Sequence, residues 1–340
     1  MEAATGDFKE KRWLALILLC SAQFVVVLDA SIVNVALPTI GKALDFSQEN
    51  LPWVVNAYVL TFGGFLLLGG RTADLLGRRR VFMAGLLLVA VASLAAGFAA
   101  TEGQLIAARA AQGLGAAIIS PAALSIVTTT FREGPDRTKA LGIWGALGGS
   151  GAAAGVLAGG VLTKYLGWEW IFFVNVPVGA LVLGLTVPIV PESHAEVEHR
   201  RFDVIGAVSV TSGLALLVYG ISKAPDVGWG SGRTIGVLAA AALLLIFFVL
   251  WELRTRAPLV PFSIFRISAV TSANVVGLLL GAVIFANFFM LTLYVQQVLG
   301  WSALRTGLTF LATARTTVLW AGVSQALITR IGPRPVATVG

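Results

Sequence analysis

The sequence predicts an all-α integral membrane protein, a bundle of about ten transmembrane helices. Of its 340 residues, 57% are hydrophobic and only 12% are charged, whereas soluble domains carry roughly 25% charged residues. The mean hydropathy is +0.88, so too little polar surface exists to cover a water-soluble globule. A helix needs about 20 mostly apolar residues to cross a bilayer, and the chain holds about ten such stretches.

Short loops marked by Gly, Pro and charge separate the apolar stretches. The first stretch runs into a polar pattern and lacks a small-residue cleavage site, so we expect a retained span and no signal peptide. Its single cysteine, Cys20, makes an internal disulfide or a structural zinc site unexpected. We place the spans at residues 13–37, 52–70, 81–100, 104–129, 139–163, 170–190, 204–222, 234–251, 271–295 and 306–328.

The loop charges predict the orientation of the chain. With the N-terminus inside, 17 Lys and Arg residues fall in inside segments and 5 in outside loops, while Arg109 and Arg315 fall within spans. Cationic loops resist translocation, so both termini are predicted to be cytoplasmic, in the cell membrane. The net charge of +7 is therefore a topology signal, and we expect no nucleic-acid partner because no basic soluble domain exists to bind one.

An internal repeat is predicted at an offset of 255 residues. The segment 77–85 resembles 332–340, and 44–47 resembles 299–302. Chance similarity is the alternative, because Gly and Arg are common at cytoplasmic helix ends. A repeat predicts three regions: an N-terminal six-helix bundle (1–192), two inserted transmembrane helices with linkers (193–262), and the two-helix start of an incomplete C-terminal bundle (263–340).

The densest motif lies between the second and third spans, in Gly70-Arg-Thr-Ala-Asp-Leu-Leu-Gly-Arg-Arg-Arg80. Asp74 and Arg78 are spaced to pair if the segment is helical, and Gly77 permits a tight turn. An ordinary cationic inside loop would explain Arg78, Arg79 and Arg80. The spacing of Gly70, Asp74, Gly77 and Arg78 is a more specific pattern than an ordinary cationic loop would require.

Two of the charges within predicted spans, Asp29 and Arg109, are candidates for function. Asp29 is in span one, where a carboxylate is costly and therefore a functional candidate, and burial favours its protonated form. It is predicted to bind a proton or a cationic ligand; the alternative is a carboxylate hydrogen-bonded to Ser31 or Asn34. Arg109 in span four shares a face with Gln112 and Gly113, and the alternative there is a structural arginine held by backbone carbonyls.

Glycines recur through the fifth span at positions suited to close helix contact. Packing alone would explain them. The predicted packing positions are Gly145, Gly149, Gly151, Gly155, Gly159 and Gly160.

Taken together, these segments resemble the major facilitator superfamily, and within it the 14-span drug:proton antiporter branch (multidrug or quaternary-ammonium exporter-like). Asp74 and its neighbours resemble the signature loop, and the two inserted spans also fit this branch. The other matching segments are Leu28-Asp-Ala-Ser-Ile-Val-Asn-Val-Ala-Leu-Pro38, Arg109-Ala-Ala-Gln-Gly-Leu-Gly115 and Trp168-Glu-Trp-Ile-Phe-Phe-Val-Asn-Val-Pro177. The resemblance covers the whole chain, but the last four of an expected fourteen spans are absent.

The resemblance implies roles for several of these residues. Arg109 would take part in proton coupling together with Asp29, the signature loop would gate transport, and the glycine-rich helix would seal the path against proton leak. Two departures weaken the antiport assignment without changing the fold. Residues 152–154 are alanines where the family often has proline, and Glu169 stands where relatives commonly have arginine.

Polar and aromatic side chains predict a substrate cavity for amphipathic or cationic drugs and metabolites. Trp53 is equally suited to anchoring a helix end at the membrane interface. The predicted lining residues are Asn34, Trp53, Asn56, Tyr58 and Gln112, with Asn274, Asn287, Gln296 and Gln297 as further candidates. His194 and His199 are expected to be solvated, without metal.

The predicted function is export of such compounds in exchange for protons, with small-molecule substrate, protons and the lipid bilayer as partners. Gly41-Lys42 is followed by alanine, so no phosphate loop is present and neither nucleotide nor another cofactor is expected. Enzymatic activity is not expected. Two alternatives stay open: another major facilitator importer or symporter, and a truncated membrane protein that does not transport.

Overall fold

The computed structural model describes residues 2–47, 49–194, 203–255, 258–301, 303–332 and 335–336, with only backbone described for 2–10, Gly149 and many residues after 283. Most of these residues are helical. The helices are α1 (Glu2–Ala43), α2 (Trp53–Leu76), α3 (Arg78–Gly97), α4 (Glu102–Thr130), α5 (Pro135–Tyr165), α6 (Trp170–Phe173), α7 (Asn175–Ile189), α8 (Val204–Val227), α9 (Gly232–Glu252), α10 (Ser268–Leu293) and α11 (Ala303–Ile331), with a 3-10 turn (Phe262–Arg266) and a π turn (Tyr294–Val298).

Eight spans among the described residues are long and apolar enough to cross a membrane. The short α6 and α7 together form one of them, Trp170–Ile189. Each lies at a span predicted from the sequence. The helices α10 and α11 lie at the two remaining predicted positions. Among the fully described residues there, the apolar part of α10 covers Ser268–Val283, which is shorter than the other spans. The all-helical fold is thus confirmed, whereas the count of ten spans stays a prediction.

Local chemistry explains several helix ends. Thr101 Oγ1 accepts a hydrogen bond from the Gln104 N–H at the start of α4, and Asp203 and Ser231 cap α8 and α9 in the same way. Pro135 occupies the first turn of α5, where a missing N–H costs nothing. These caps satisfy backbone donors that would otherwise be left without partners at the helix ends.

The helices pack around α1 and α4. Helix α1 lies against α5, α7 and α4, while α4 lies against α2 and α3. The helix pair α8 and α9 is joined to this bundle through α2, and α11 packs against α5. We call the end of the bundle that carries Arg12, Arg78 and Lys139 the basic end.

Two apolar clusters form the core, one above the other along the helices. The first includes Leu16 and Phe82 toward the basic end. The second includes Ile40 and Phe172 toward the opposite end. Between them, α1, α3, α4 and α7 each contribute polar side chains at one level, and these side chains form the candidate site.

Candidate functional site

A buried ion pair between α1 and α4 lies at the centre of this level. Arg109 Nη1 donates to Asp29 Oδ2 at 2.5 Å. The Asp29 residue is 1% exposed and Arg109 is fully buried. A charge alone at this depth would be very costly, so each charge here depends on the other for its stability.

Amide and hydroxyl groups complete the shell of the carboxylate. Asp29 Oδ1 accepts hydrogen bonds from Asn175 Nδ2 at 2.7 Å and from Gln112 Nε2 at 3.1 Å. Gln112 Nε2 also donates to Ser93 Oγ at 2.8 Å. We call Asp29, Arg109, Gln112, Asn175 and Ser93 the polar cluster. In each of these hydrogen bonds with Asp29, the carboxylate is the acceptor.

The guanidinium of Arg109 is held from several directions. Its Nε donates to the Val54 carbonyl at 2.9 Å, and its Nη1 also donates to Gln112 Oε1 at 2.9 Å. The guanidinium carbon, Cζ, lies 4.3 Å from the centre of the Tyr58 ring. The hydroxyl of Tyr58 donates to the Val26 carbonyl at 3.1 Å. Cation–π attraction of this kind is strongest where water is excluded.

The structure decides between the contacts expected for Asp29 and Arg109. Ser31 and Asn34 donate to carbonyls of their own helix, Leu28 and Ala30 respectively, and neither hydrogen bond goes to Asp29. The expected backbone contact of Arg109 is present at one carbonyl, but its main partner is the carboxylate. The two charges that the sequence presents separately therefore form one unit.

Two members of the polar cluster were missed by the sequence reasoning. Asn175 lies inside the segment 168–177, whose pattern indicates only the family resemblance. Ser93 is a single hydroxyl in an otherwise apolar span. A polar residue within a span is itself a signal of function, and both residues lie within predicted spans.

The predicted cavity residues do not lie together. Tyr58 and Gln112 are buried at the ion pair, whereas Asn56 Nδ2 donates to Ser222 Oγ of α8 at 3.3 Å. Trp53 lies 5.9 Å from the Tyr219 ring, and Asn34 is exposed. None of the five residues lines the apolar groove between α1, α5 and α7, so a common substrate cavity for them stays a prediction.

Only some of the further cavity candidates have side chains among the described residues. Asn274 donates to the Val270 carbonyl of its own helix, and Asn287 is exposed. The side chains of Gln296 and Gln297 lie outside the described residues, as does His199, while His194 is exposed.

The signature loop is a single-residue break between α2 and α3. Gly77 has φ +109°, a backbone conformation that strongly favours glycine, as the predicted tight turn requires. Asp74 Oδ1 accepts from Arg78 Nη2 at 3.0 Å, so the predicted pair forms across the break and not along one helix. Gly70 packs near Pro121 of α4.

An acidic residue that was not predicted caps this turn. Glu192 Oε1 accepts from the Arg79 backbone N–H at 3.0 Å, and its Oε2 from the Arg80 backbone N–H at 3.2 Å. The first N–H groups of α3 thereby gain a negatively charged acceptor, which suits the positive end of a helix dipole. Arg79 Nη1 also donates to the Val190 carbonyl, so the loop is tied to the end of α7.

The glycines of α5 divide into contact and open positions. A methyl group on Gly151, Gly155 or Gly159 would press against Val27, Ser31 or Ile32 of α1. Gly160 is buried. The described residues leave open space around Gly145, so close packing is not found there, and the surroundings of Gly149 lie outside the description.

We predict that Gly155→Ala destabilises the protein by about 1–3 kcal/mol, because overpacking forces neighbouring atoms to shift. The new methyl group would overlap Ser31 Oγ and lie 2.9 Å from the Leu28 carbonyl oxygen. Thermal unfolding of the purified variant in detergent measures this loss. Gly145→Ala in the same helix is the control and should unfold at the wild-type temperature or above it. Equal stability of the two variants would contradict the packing role.

Spanning helices around a buried ion pair define a multi-pass helical membrane protein. Residues 19–340 match the Major Facilitator Superfamily, and the chain belongs to this family of transporters.

Among curated proteins, the chain is 45% identical to the cephamycin export protein CmcT of Amycolatopsis lactamdurans, with 88% of this chain and 62% of that protein covered. It is 41% identical to the puromycin resistance protein pur8 of Streptomyces alboniger, covering 88% of this chain and 59% of that one. The chain thus spans about three-fifths of the length of these relatives.

A solved structure shares the fold. The proton:xylose symporter XylE bound to 6-bromo-6-deoxy-D-glucose aligns with a TM-score of 0.61 and 13% identity, covering 96% of this chain and 71% of that one. At this identity the likeness concerns the fold alone.

Proposed function

We propose that this chain belongs to an exporter of antibiotics or other amphipathic small molecules, driven by proton antiport. The single observation that carries the proposal is the buried Asp29–Arg109 pair within its polar cluster. The names of two relatives, a cephamycin export protein and a puromycin resistance protein, support the substrate class. The symporter neighbour does not favour import, because its likeness extends only to the fold.

The pair supplies a reason for coupling. An arginine side chain stays protonated at any relevant pH, so only Asp29 can change the charge of the pair. Protonation of Asp29 would remove the counter-charge and leave Arg109 buried without it. Breaking a buried pair in this way costs about 3–5 kcal/mol, which is enough to favour a different arrangement of α1, α4 and α7.

Transport would then follow from two arrangements of the bundle. A proton binds Asp29 when the site faces outward, and the chain shifts to a conformation in which Arg109 finds other partners. The proton leaves toward the cytoplasm, and the ionised pair re-forms as substrate is carried out. The proton and the substrate can shift the chain between these two arrangements only if each of them binds one arrangement more tightly than the other.

We further propose the orientation and domain organisation. The basic end faces the cytoplasm, as do both termini of the chain, because it carries the cationic turns. Residues 1–192 form one six-helix bundle, 193–262 hold the two inserted helices, and 263–340 begin a second bundle. The Asp74–Arg78 pair and Glu192 brace the turn at Gly77, and we assign this turn the gating role.

Efflux measured in cells tests the proposal. Cells that express the complete reading frame are loaded with N-phenyl-1-naphthylamine, a neutral amphipathic amine, and its loss is followed by fluorescence. We expect faster efflux than in cells with an empty vector, and a return to the vector rate when a protonophore collapses the proton gradient. Efflux that continues unchanged after the gradient is collapsed would contradict proton coupling.

A further inference from the structure

An apolar groove lies between α1, α5 and the start of α7. Its volume is about 670 Å³, within the range of roughly 300–1,000 Å³ that suits drug-sized ligands. It runs along one face of α1 from Trp13, near Lys139 at the basic end, to Leu28 beside Asn175. Ile17 in its wall is 63% exposed, so the groove reaches the surface of the bundle. We call it the α1–α5–α7 groove.

Asn175 belongs to both the groove and the polar cluster. Its Nδ2 donates to Asp29 Oδ1 at 2.7 Å, and this fixes the orientation of the amide, because a carboxylate can only accept. Its Oδ1 is buried and has no hydrogen-bond partner among the described residues, and the residue is 2% exposed. A buried acceptor without a donor is unfavourable, so this atom is suited to a donor brought by a ligand.

We propose that the α1–α5–α7 groove binds the exported substrate, and that this substrate is a neutral amphipathic molecule with an N–H or O–H group at its inner end. The donor satisfies Asn175 Oδ1, and the apolar body lies along α1. This inference rests on the proposed function and names the substrate class for it.

The contacts of the groove favour this occupant over two others. The tail of a lipid would fill the apolar walls but has no donor for Asn175 Oδ1. A cation would meet Lys139 at the basic end, and the nearby carboxylate of Asp29 is already neutralised by Arg109. A neutral molecule with one donor is compatible with each of these groups.

The same amide connects the groove to the ion pair. A donor on Oδ1 polarises the amide and strengthens the hydrogen bond from Nδ2 to Asp29, since linked hydrogen bonds reinforce one another. Substrate in the groove would therefore stabilise the ionised form of Asp29. Binding of substrate and of the proton would oppose each other, as an exchange of the two requires.

Binding without any gradient tests the site. The full chain is purified into lipid nanodiscs, and energy transfer from its tryptophans to N-phenyl-1-naphthylamine is titrated, with empty nanodiscs subtracted. This neutral amine carries one N–H donor, which its N-methyl derivative lacks. We expect the derivative to bind about 5- to 10-fold more weakly, as expected for the loss of one hydrogen bond to a buried acceptor.

A substitution in the wall locates the binding. Ser21→Phe places a ring in the groove, and we expect it to raise the Kd of the amine by about tenfold or more because the space is filled. Ser212→Phe makes the same change in α8, away from the groove, and should leave the Kd within about twofold. The comparison of the amine with its N-methyl derivative uses the wild-type chain, so it still tests the donor requirement if Ser21→Phe fails to fold.

The outcomes separate this inference from the proposed function. No binding to the wild-type chain, equal binding of amine and derivative, or an unchanged Kd in Ser21→Phe would overturn the groove assignment. If efflux from cells is nevertheless proton-driven, the proposed function stands without the groove. Donor-dependent binding that Ser21→Phe abolishes would support the site, even where efflux proves independent of the gradient and the proposed function fails.

Discussion

Replacing Asp29 with asparagine is expected to abolish proton-driven efflux. The amide keeps the size of the side chain and can still accept from Asn175 or Gln112, but it cannot take up or release a proton. It also leaves the buried Arg109 charge without its counter-charge, which costs about 3–5 kcal/mol. Efflux of N-phenyl-1-naphthylamine from cells, compared at equal amounts of membrane-inserted protein, measures the effect, and we expect the rate to fall to that of the empty vector.

A second variant separates loss of coupling from loss of stability. Asp29→Asn combined with Arg109→Gln removes both charges, so no unpaired charge remains buried. We expect this double variant to recover most of the stability, seen as thermal unfolding close to wild type, and none of the proton-driven efflux. Efflux restored by the double variant, or full efflux in Asp29→Asn alone, would show that the pair is structural only.

Replacing Arg109 with lysine is expected to give the second largest effect. The planar guanidinium donates at once to Asp29, Gln112 and the Val54 carbonyl, whereas an ammonium is a compact charge without this fork. The variant keeps the charge and should therefore insert into the membrane. We expect efflux to fall about tenfold or more, because a lost hydrogen bond to a charged group costs about 1.5–3 kcal/mol.

The same exchange at the basic end is the control. Arg12 pairs with Asp136 at 2.7 Å, but both side chains are partly exposed, and exposed pairs contribute roughly 0–1 kcal/mol. Arg12→Lys should leave efflux within about twofold of wild type. Equal activity of Arg12→Lys and Arg109→Lys would contradict a special role for the guanidinium at the buried position.

Much of the fold was predictable because the bilayer imposes simple rules on a sequence. Helices must satisfy their own backbone groups in hydrocarbon, so long apolar stretches can be assigned as helices with little ambiguity. Gly77 between α2 and α3 was predictable in the same way, since a tight turn between two spans needs a residue that tolerates positive φ. The partner that caps this turn, Glu192, was not, because it lies more than a hundred positions along the chain.

The candidate site was predictable only in part. Asp29 and Arg109 stand out by themselves, because charges within spans are rare and costly. Their pairing depends on the level at which α1 and α4 meet, and hydropathy carries no information about that. The glycines of α5 show the same limit, because one spacing pattern includes Gly155, which touches α1, and Gly145, which has open space around it.

By itself, the sequence determined that this protein is a bundle of apolar helices with two charges kept at depth, because the cost of placing each residue type in lipid depends on that residue alone. The tertiary structure decided that those charges form one pair, that Asn175 and Ser93 complete its shell, and that a groove ends beside it. These features depend on distances between helices far apart in the chain, and such distances are set by packing.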